Sequence, residues 1–345
     1  MTAERILAHC ASHPQAQPTD IFKFLHQSTF GCEHLLASPE AAVEYIKTEA
    51  ATMENTEALV EPLDGEFCRV GLRYLKEGLR AETLGQLFFL SAKPSGSVAV
   101  LEEKLAVAEQ LAAEGRLPFD QTAFAAALAP WKAAGYPALH HSEAFRATYR
   151  PAYRVIAKRF LPFLPLLAEI DRRGALTLAI EGGSASGKTT LSGLLEQLYD
   201  CTVLHMDDFF LQPHQRTPER FAEPGGNIDW ERFLEEVLRP LSQRKPIAYR
   251  RFDCATFQLQ PPVTITPKPL TVIEGAYSMH PALSEYYDLS VFLDVAPDLQ
   301  KARIQKRNSP AMAARFFAEW IPMERRYWEA FQIPTACDMT IAINE

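Results

Sequence analysis

The chain has 345 residues, which suits two domains at roughly 100–200 residues each. Its hydrophobic fraction of 47% and charged fraction of 23% are ordinary for a globular protein with a core, whereas its net charge of −8 argues against sequence-independent nucleic-acid binding, which needs a basic face. The six scattered cysteines form no CxxC pair and are typical of reduced thiols. Because neither a long apolar span nor a signal-peptide core is present, we expect a cytoplasmic protein without membrane or nucleic-acid partners. Homo-oligomerisation stays open.

Residues 1–150 are rich in alanine and predict an all-α domain of unknown role. Ser38-Pro39 is a helix start, with serine as the N-cap and proline in the first turn. Asp120 caps a second alanine-rich helix, and further helices are predicted over Ile21–Leu36 and Ala81–Ala92.

Histidines and cysteines cluster in this half of the chain, and Cys10-x-x-His13 and Cys32-x-His34 invite a metal-binding interpretation. Zinc sites show two tight ligand pairs at recognisable spacing, which these residues lack. Helix packing is therefore the favoured role, and metal binding the alternative.

Residues 151–174 are punctuated by prolines and predict a connector between two domains. Arg146, Arg150 and Arg154 lie in and just before it, interleaved with aromatic residues. They could form a basic wall for an anionic ligand or acceptor, or they could be solvated surface charge.

Residues 175–345 have a different sequence pattern, in which short apolar runs alternate with helical segments. Apolar runs bounded by turns are typical of parallel strands buried on both faces. The alternation predicts an α/β doubly wound parallel sheet. Residues Pro246 to Pro267 predict an antiparallel hairpin inserted at the sheet edge. The five predicted strands are ALTLAI, CTVLHM, PLTVIEG, LSVFLDV and DMTIAI.

The segment between the first two of these strands fits the phosphate-binding pattern G-x-x-x-x-G-K-[ST] in full. A strand runs into it and a helix runs out, as a P-loop requires. The glycines let backbone N–H groups point at phosphate oxygens, and the helix N-terminus adds its positive dipole end. Lys188 is expected to reach the β- and γ-phosphates of ATP, and the Thr189 hydroxyl to ligate Mg²⁺. The residues expected to bind nucleotide are Gly182, Gly183, Ser184, Ala185, Ser186, Gly187, Lys188, Thr189 and Thr190.

Phosphoryl transfer also needs carboxylates, which should lie at the carboxyl ends of the parallel strands. Asp207 or Asp208 is the candidate general base, and Glu274 is the candidate Mg²⁺ ligand. Asp294 also ends a strand, but such a residue often caps the next helix.

Taken together, these residues resemble the uridine kinase/phosphoribulokinase family of P-loop kinases. The segment GGSASGKTT is similar to the family's P-loop, and LHMDDFF to its strand followed by the catalytic base. The resemblance implies that Asp207 is the base and also lies near the metal, and that Glu274 of VIEG lies near Mg²⁺. It further implies acceptor contacts from Asp208 and from the hairpin pair Phe252-Asp253.

Arg303 and Arg307 fall where the family places the basic helix that leads into its lid. The resemblance implies that Arg307 contacts nucleotide, and that Arg303 and the lid residue Arg315 contact the acceptor. Members specific for uridine or cytidine carry a histidine and an arginine after the hairpin, where this chain has Thr256–Leu259. The loss of such groups changes recognition, so the resemblance predicts a kinase without predicting a nucleoside substrate.

The expected function is ATP-dependent phosphorylation of a hydroxyl on a small nucleoside-like or sugar-like molecule. The alternative is a non-catalytic ATP-sensing regulator whose helical half binds a partner. A guanine-specific switch is disfavoured, because no asparagine of the chain precedes a lysine.

Overall fold

The computed structural model of the protein describes residues 2–32, 38–53, 58–92 and 95–344. The chain divides into two compact units, Met1–Arg172 and Arg173–Glu345. Most of the segment predicted as a connector therefore belongs to the first unit. His34, which the metal-binding interpretation invoked, lies outside the described residues.

The first unit is rich in helices, as the sequence predicts. Its helices are α1 (Thr2–Ser12), α2 (Pro18–Phe30), α3 (Pro39–Ala51), α4 (Ala81–Ser91), α5 (Val98–Ala113), α6 (Gln121–Ala133), α7 (Glu143–Tyr149) and α8 (Leu164–Arg173). None of the described helices is both long and apolar enough to cross a lipid bilayer.

The first unit is not all-α, because it also contains a three-stranded antiparallel sheet. Its strands are β1 (Val60–Pro62), β2 (Phe67–Gly71) and β3 (Tyr153–Ala157), with β2 in the middle. The sequence pattern hid β2 and β3, because each carries a buried arginine. Arg69 is paired with Glu61 at 2.8 Å. Arg154, for which an anion-binding wall and solvated surface charge were the two alternatives, is buried and paired with Glu49 at 2.7 Å.

Helix α2 ends earlier than the apolar pattern predicts, at Phe30. Gly31 follows it with a φ of 64°, and its N–H donates to the Gln27 carbonyl at 3.0 Å. A Cβ atom at Gly31 would lie 2.6 Å from the Phe67 ring, so both the backbone and the packing require glycine there.

The second unit is built on a parallel sheet of five strands in the order β12-β11-β4-β10-β5. All five strands are those predicted from the apolar runs, which confirms the doubly wound α/β architecture. These strands are β4 (Leu176–Gly182), β5 (Cys201–His205), β10 (Leu270–Glu274), β11 (Leu289–Val295) and β12 (Met339–Ile343).

Helices connect these strands. They are α9 (Lys188–Leu198), α10 (Pro218–Ala222), α11 (Trp230–Phe233), α12 (Arg239–Ser242), α13 (Pro297–Arg307), α14 (Pro310–Arg315), α15 (Ile321–Phe331) and α16 (Ile333–Ala336). Single π-helical turns join α11 to α12 and α14 to α15.

The segment between α12 and β10 forms the predicted antiparallel insertion. Strands β6 (Ile247–Tyr249) and β9 (Val263–Ile265) pair with each other, as do β7 (Phe252–Asp253) and β8 (Gln258–Leu259). The insertion therefore forms two small sheets of its own and does not extend the edge of the central sheet.

Candidate active site

The P-loop joins β4, the central strand of the sheet, to α9. Its turn uses left-handed backbone at Ala185 (φ 60°) and Gly187 (φ 104°), and α9 begins directly at Lys188. A Cβ atom at Gly182 would lie 2.8 Å from the Leu293 carbonyl oxygen of the neighbouring strand. The end of β4 is thus too close to the neighbouring strand for residue 182 to carry a side chain, which explains the glycine at this position.

Lys188 folds back over this loop. Its Nζ donates to the carbonyl oxygens of Gly182 and Gly183 at 2.8 and 2.9 Å. The ammonium is therefore held beside the P-loop and the N-terminus of α9. The ammonium and the helix N-terminus both attract anions.

The carboxylate of Glu324, from α15, is bound to the same loop and was not predicted from the sequence. It accepts hydrogen bonds from the Ser184 N–H at 3.1 Å and from the Ser184 hydroxyl at 2.6 Å. Burial raises the pKa of Glu324, and its bonds to Ser184 and the charge of Lys188 oppose that rise. The Ser184 N–H thus already binds an anionic group, the Glu324 carboxylate. Backbone N–H groups beside a helix N-terminus bind phosphate in the same way, so the loop fits a nucleotide phosphate.

Two side chains of α13 donate hydrogen bonds to backbone carbonyl oxygens of the P-loop. Gln300 donates from Nε2 to the Ser184 carbonyl at 2.8 Å, and Arg303 donates from Nη1 to the Ala185 carbonyl at 3.2 Å. The structure thus places Arg303 against the P-loop backbone. Ser186 is fully buried, and its Oγ has no hydrogen-bond partner among the described residues.

The hydroxyl of Thr189 and the carboxylate of Glu274 meet below the loop, with Oγ1 and Oε1 3.3 Å apart. The same Glu274 oxygen accepts from His205 Nδ1 at 2.6 Å. That hydrogen bond is the main reason why the pKa of His205 is raised. Hydroxyl and carboxylate oxygens are the ligands that Mg²⁺ prefers, so this corner fits the metal expected from the sequence.

Asp207 and Asp208 lie on a short 3₁₀ turn (Met206–Phe209) that follows β5. The side chain of Asp207 reaches solvent, but the surrounding protein partly desolvates its carboxylate and so raises its pKa. The charge of the Lys188 ammonium acts in the opposite direction. Asp208 is instead engaged by the insertion, because the Tyr249 hydroxyl lies 3.3 Å and Arg251 Nε 3.4 Å from its carboxylate. The charge of Lys188 thus acts on Asp207, whereas Asp208 is bound to the insertion.

Glu181 lies immediately before the P-loop and is fully buried. Its carboxylate accepts from the backbone N–H groups of Gly182 (2.9 Å), Tyr277 (3.2 Å) and Met279 (3.0 Å), and from the Tyr327 hydroxyl (3.2 Å). Burial raises its pKa to about 7, against the effect of these donors. Glu181 directly follows the apolar run ALTLAI, and this strand-end position is the sequence signal that could have marked it.

The β7–β8 hairpin carries the pair Phe252-Asp253. The Asp253 carboxylate accepts from the Ala255 N–H at 2.8 Å, so it caps the hairpin turn. Phe252 is buried, and the Arg216 guanidinium lies 5.6 Å from its ring centroid. Strand β7 contacts the 3₁₀ turn that carries Asp207, so the hairpin lies beside the candidate base.

Arg307 and Arg315 make contacts within the helical segment that follows β11. The Arg307 guanidinium lies 5.9 Å from the Phe316 ring, and Arg315 stacks on Trp320 at 5.2 Å and pairs with Glu319 at 3.2 Å. Both arginines are exposed. At β11 itself, Asp294 does not cap the next helix, whose N-cap is Ala296.

Residues 177–310 match the sequence model of the Phosphoribulokinase / Uridine kinase family. This match confirms the resemblance seen in the P-loop and the strand-end carboxylates, and it supports a P-loop kinase. No curated protein matches the chain.

Several solved structures are similar to about half of this chain. A possible uridine kinase from Bacillus stearothermophilus is 22% identical over 48% of this chain and 88% of its own, with a TM-score of 0.38. A protein assigned as a fructose transport system kinase, from Silicibacter sp. TM1040, is 23% identical over 48% and 89%, with a TM-score of 0.39. Shikimate kinase from Acinetobacter baumannii is 17% identical over 50% and 85%, with a TM-score of 0.26.

The position of Glu324 predicts that it competes with nucleotide for the P-loop. Glu324→Gln keeps an oxygen for Ser184 but removes a negative charge, so we expect ATP to bind about three- to tenfold more tightly. The gain should shrink as the pH falls through the raised pKa of Glu324, because the wild-type carboxyl then becomes neutral. Isothermal titration with ATP and Mg²⁺ measures both effects.

Glu329→Gln is the matched control, since Glu329 is exposed on the same helix. Equal or weaker ATP binding by Glu324→Gln, with the control unchanged, would show that Glu324 supports the loop without opposing nucleotide.

Proposed function

We propose that the second unit is an ATP-dependent phosphotransferase that acts on a hydroxyl group of a small nucleoside-like or sugar-like molecule. The observation that carries the proposal is a complete P-loop, with the Lys188 ammonium on its backbone carbonyls, beside Glu274 and Asp207 at the ends of the neighbouring strands β10 and β5. The family match over residues 177–310 supports the same reaction class.

The phosphates of ATP would lie on the P-loop amides and the N-terminus of α9. Lys188 has its ammonium at the loop mouth, where a small shift from the Gly182 and Gly183 carbonyls brings it onto phosphate oxygens. Thr189 and Glu274, with Asp207, would hold Mg²⁺. When bound, this ion supplies positive charge that offsets the charge developing on the transferred phosphoryl group.

Asp207 acts as the general base. It accepts the proton of the acceptor hydroxyl as the oxygen attacks the γ-phosphorus, and ADP leaves with the electron pair of the broken bond. Asp208 cannot act as the base without losing its contacts with Tyr249 and Arg251. Its role is instead to order the insertion beside the acceptor.

The acceptor would bind between the 3₁₀ turn carrying Asp207 and the β7–β8 hairpin. Phe252, Asp253 and Arg216 build this side of the pocket, without the histidine and arginine that the uridine- and cytidine-specific members carry after the hairpin. Arg303 is better suited to the phosphate end, since it already contacts the P-loop backbone. Arg307 and Arg315, both exposed, remain our candidates for nucleotide and acceptor contacts from the lid.

Removing the P-loop ammonium tests the phosphate end of the site. We expect Lys188→Ala to lower ATP turnover by several orders of magnitude with the fold intact, because electrostatic stabilisation dominates phosphoryl transfer. An ADP-release assay measures the rate and circular dichroism checks the fold. Turnover near the wild-type rate in a folded Lys188→Ala protein would rule out this kinase mechanism.

A matched pair of variants tests the base. Asp207→Asn should lower kcat by at least about 100-fold with nearly unchanged ATP affinity, since a general base contributes about 10²–10⁴-fold. Asp208→Asn should affect mainly the KM for the acceptor. Because Asp207 must be ionised to accept a proton, and its pKa is raised, kcat should increase with pH through that pKa to a plateau.

The reverse pattern, with Asp208→Asn inactive and Asp207→Asn active, would exchange the two roles. If both variants bind ATP normally and the wild type transfers phosphate to no acceptor, the ATP-sensing alternative is favoured, because a sensor needs no base.

A further inference from the structure

The first unit contains a cavity of about 700 Å³ that has no part in the proposed kinase chemistry. Helix α1, the β1–β2–β3 sheet and the segment around the end of α7 form its wall, so all the lining residues belong to that unit. Ligand pockets in proteins have volumes of about 300–1,000 Å³, so the cavity is large enough for a small organic molecule. Tyr153, the first residue of β3, is part of the wall.

The hydroxyl of Tyr153 is the end of a chain of three hydrogen-bonded side chains. It lies 2.6 Å from His141 Nε2, and Nδ1 of the same imidazole lies 3.1 Å from Asp20 Oδ1. Asp20 and His141 are buried, whereas Tyr153 is half-buried. A hydroxyl, an imidazole and a carboxylate in this order form the arrangement that activates a nucleophile in enzymes of several unrelated folds.

The charge of Asp20 determines the direction of both hydrogen bonds. Burial would raise the pKa of this carboxyl, but hydrogen bonds from His141, Gln17 and Ser142 lower it to about 2. Because an ionised carboxylate only accepts hydrogen bonds, His141 donates to it from Nδ1. Burial lowers the pKa of His141 to about 3, so the imidazole is neutral at neutral pH. Its Nε2 therefore accepts from the Tyr153 hydroxyl, as a general base must.

The imidazole is also fixed in its orientation. Asp20 is held by the Ser142 N–H at 2.9 Å, the Ser142 hydroxyl at 2.7 Å and the Gln17 N–H at 2.9 Å. The His141 ring stacks on the Phe145 ring, with centroids 4.3 Å apart and an interplanar angle of 6°. A base held at its edge and on its face is already in position when the hydroxyl reacts.

A guanidinium group lies against the ring of Tyr153. Arg69 Cζ is 4.5 Å from the ring centroid. The guanidinium is held there by Gln27 Oε1, 2.9 Å from Nε, and by Glu61 Oε2, 2.8 Å from Nη1. Glu61 compensates part of the positive charge. A nearby cation favours the charged form of an acid, so this contact stabilises the negative charge that develops on the phenol oxygen.

A second polar group on the cavity wall consists of His9, His13 and Glu61, each of which offers a metal-ligand atom within 4.8 Å of the others. Cys10, which the sequence pattern paired with His13, is not part of this group. Its thiol is buried, and burial raises its pKa to about 12. Because Glu61 is bound to both His9 and Arg69, a metal ion would have to displace existing contacts.

We propose that Tyr153, His141 and Asp20 form a second reactive site, built from the first unit alone, in which the Tyr153 hydroxyl attacks an activated acyl compound bound in the cavity. The hydroxyl gives its proton to His141 Nε2 as the phenol oxygen forms a bond to the carbonyl carbon. The leaving group departs with the electron pair of the broken bond and takes the proton from His141. Asp20 is a positioning residue, since it orients the imidazole and stabilises its protonated form.

Acetylation of the full chain by N-acetylimidazole tests the proposal. The reaction is run at neutral pH with EDTA, which removes any bound metal, and mass spectrometry of peptides gives the rate at each tyrosine. Tyr45 is the internal control, because its side chain is 66% exposed and it also has an arginine, Arg154, 4.9 Å from its ring centroid. Among the residues that the structure describes, no imidazole contacts the Tyr45 hydroxyl.

We expect Tyr153 to be acetylated at least about tenfold faster than Tyr45, although it is less exposed, because a positioned general base contributes about 10²–10⁴-fold. His141→Gln keeps polar atoms for both neighbours but removes the base, so it should lower the rate at Tyr153 by at least about tenfold and leave Tyr45 unchanged. His140→Gln is the matched control, since His140 is the exposed neighbour of His141. Thermal melting confirms that the variants fold.

The proposal is overturned if Tyr153 of the wild type reacts no faster than Tyr45, a comparison that needs no variant. It is also overturned if His141→Gln and His140→Gln label Tyr153 at the same rate. Either result would reduce the three side chains to a hydrogen-bonded support of β3, since a buried network without reactivity slows access of the reagent to the hydroxyl.

Discussion

Three segments that carry the candidate kinase site meet at the carboxylate of Glu181, buried at the end of the central strand. It accepts N–H groups from the start of the P-loop and from the turn after β10, and a hydroxyl from α15. Tyr277 in that turn has a φ of 73°, a strained value for a bulky residue that the surrounding structure must hold. One buried acceptor thus fixes the P-loop relative to Glu274 and Glu324.

The site built on this anchor has more negative than positive charge. Asp207 and Glu324 both interact with the charge of Lys188, and Glu274 interacts with that of Asp207. The bond from His205 to Glu274 offsets only part of this negative charge. The surrounding protein desolvates the carboxylates of Asp207 and Glu324 and so raises the pKa of each, and neighbouring negative charges add to the rise. A divalent cation would relieve this excess.

The sequence predicts the second unit well, because its strands are continuous apolar runs and its P-loop is fixed by spacing. Glu324 could not be predicted, since it reaches the loop from a distant helix. Glu181 is an acidic residue at the end of an apolar strand, but the sequence does not show which groups it binds. In the first unit, β2 and β3 carry Arg69 and Arg154 at buried positions. Each charge is compensated by a glutamate from another element, which a local hydrophobic pattern cannot reveal.

Transfer of phosphate to an acceptor is the most direct test of the proposed kinase mechanism. The full chain, with ATP and Mg²⁺, should be incubated with nucleosides, sugars, sugar phosphates and vitamin precursors, and the products analysed by mass spectrometry. We predict that at least one acceptor class gains a single phosphoryl group with equimolar ADP, and that Asp207→Asn abolishes this transfer. Binding of ATP through Lys188 with no acceptor phosphorylated would contradict the account.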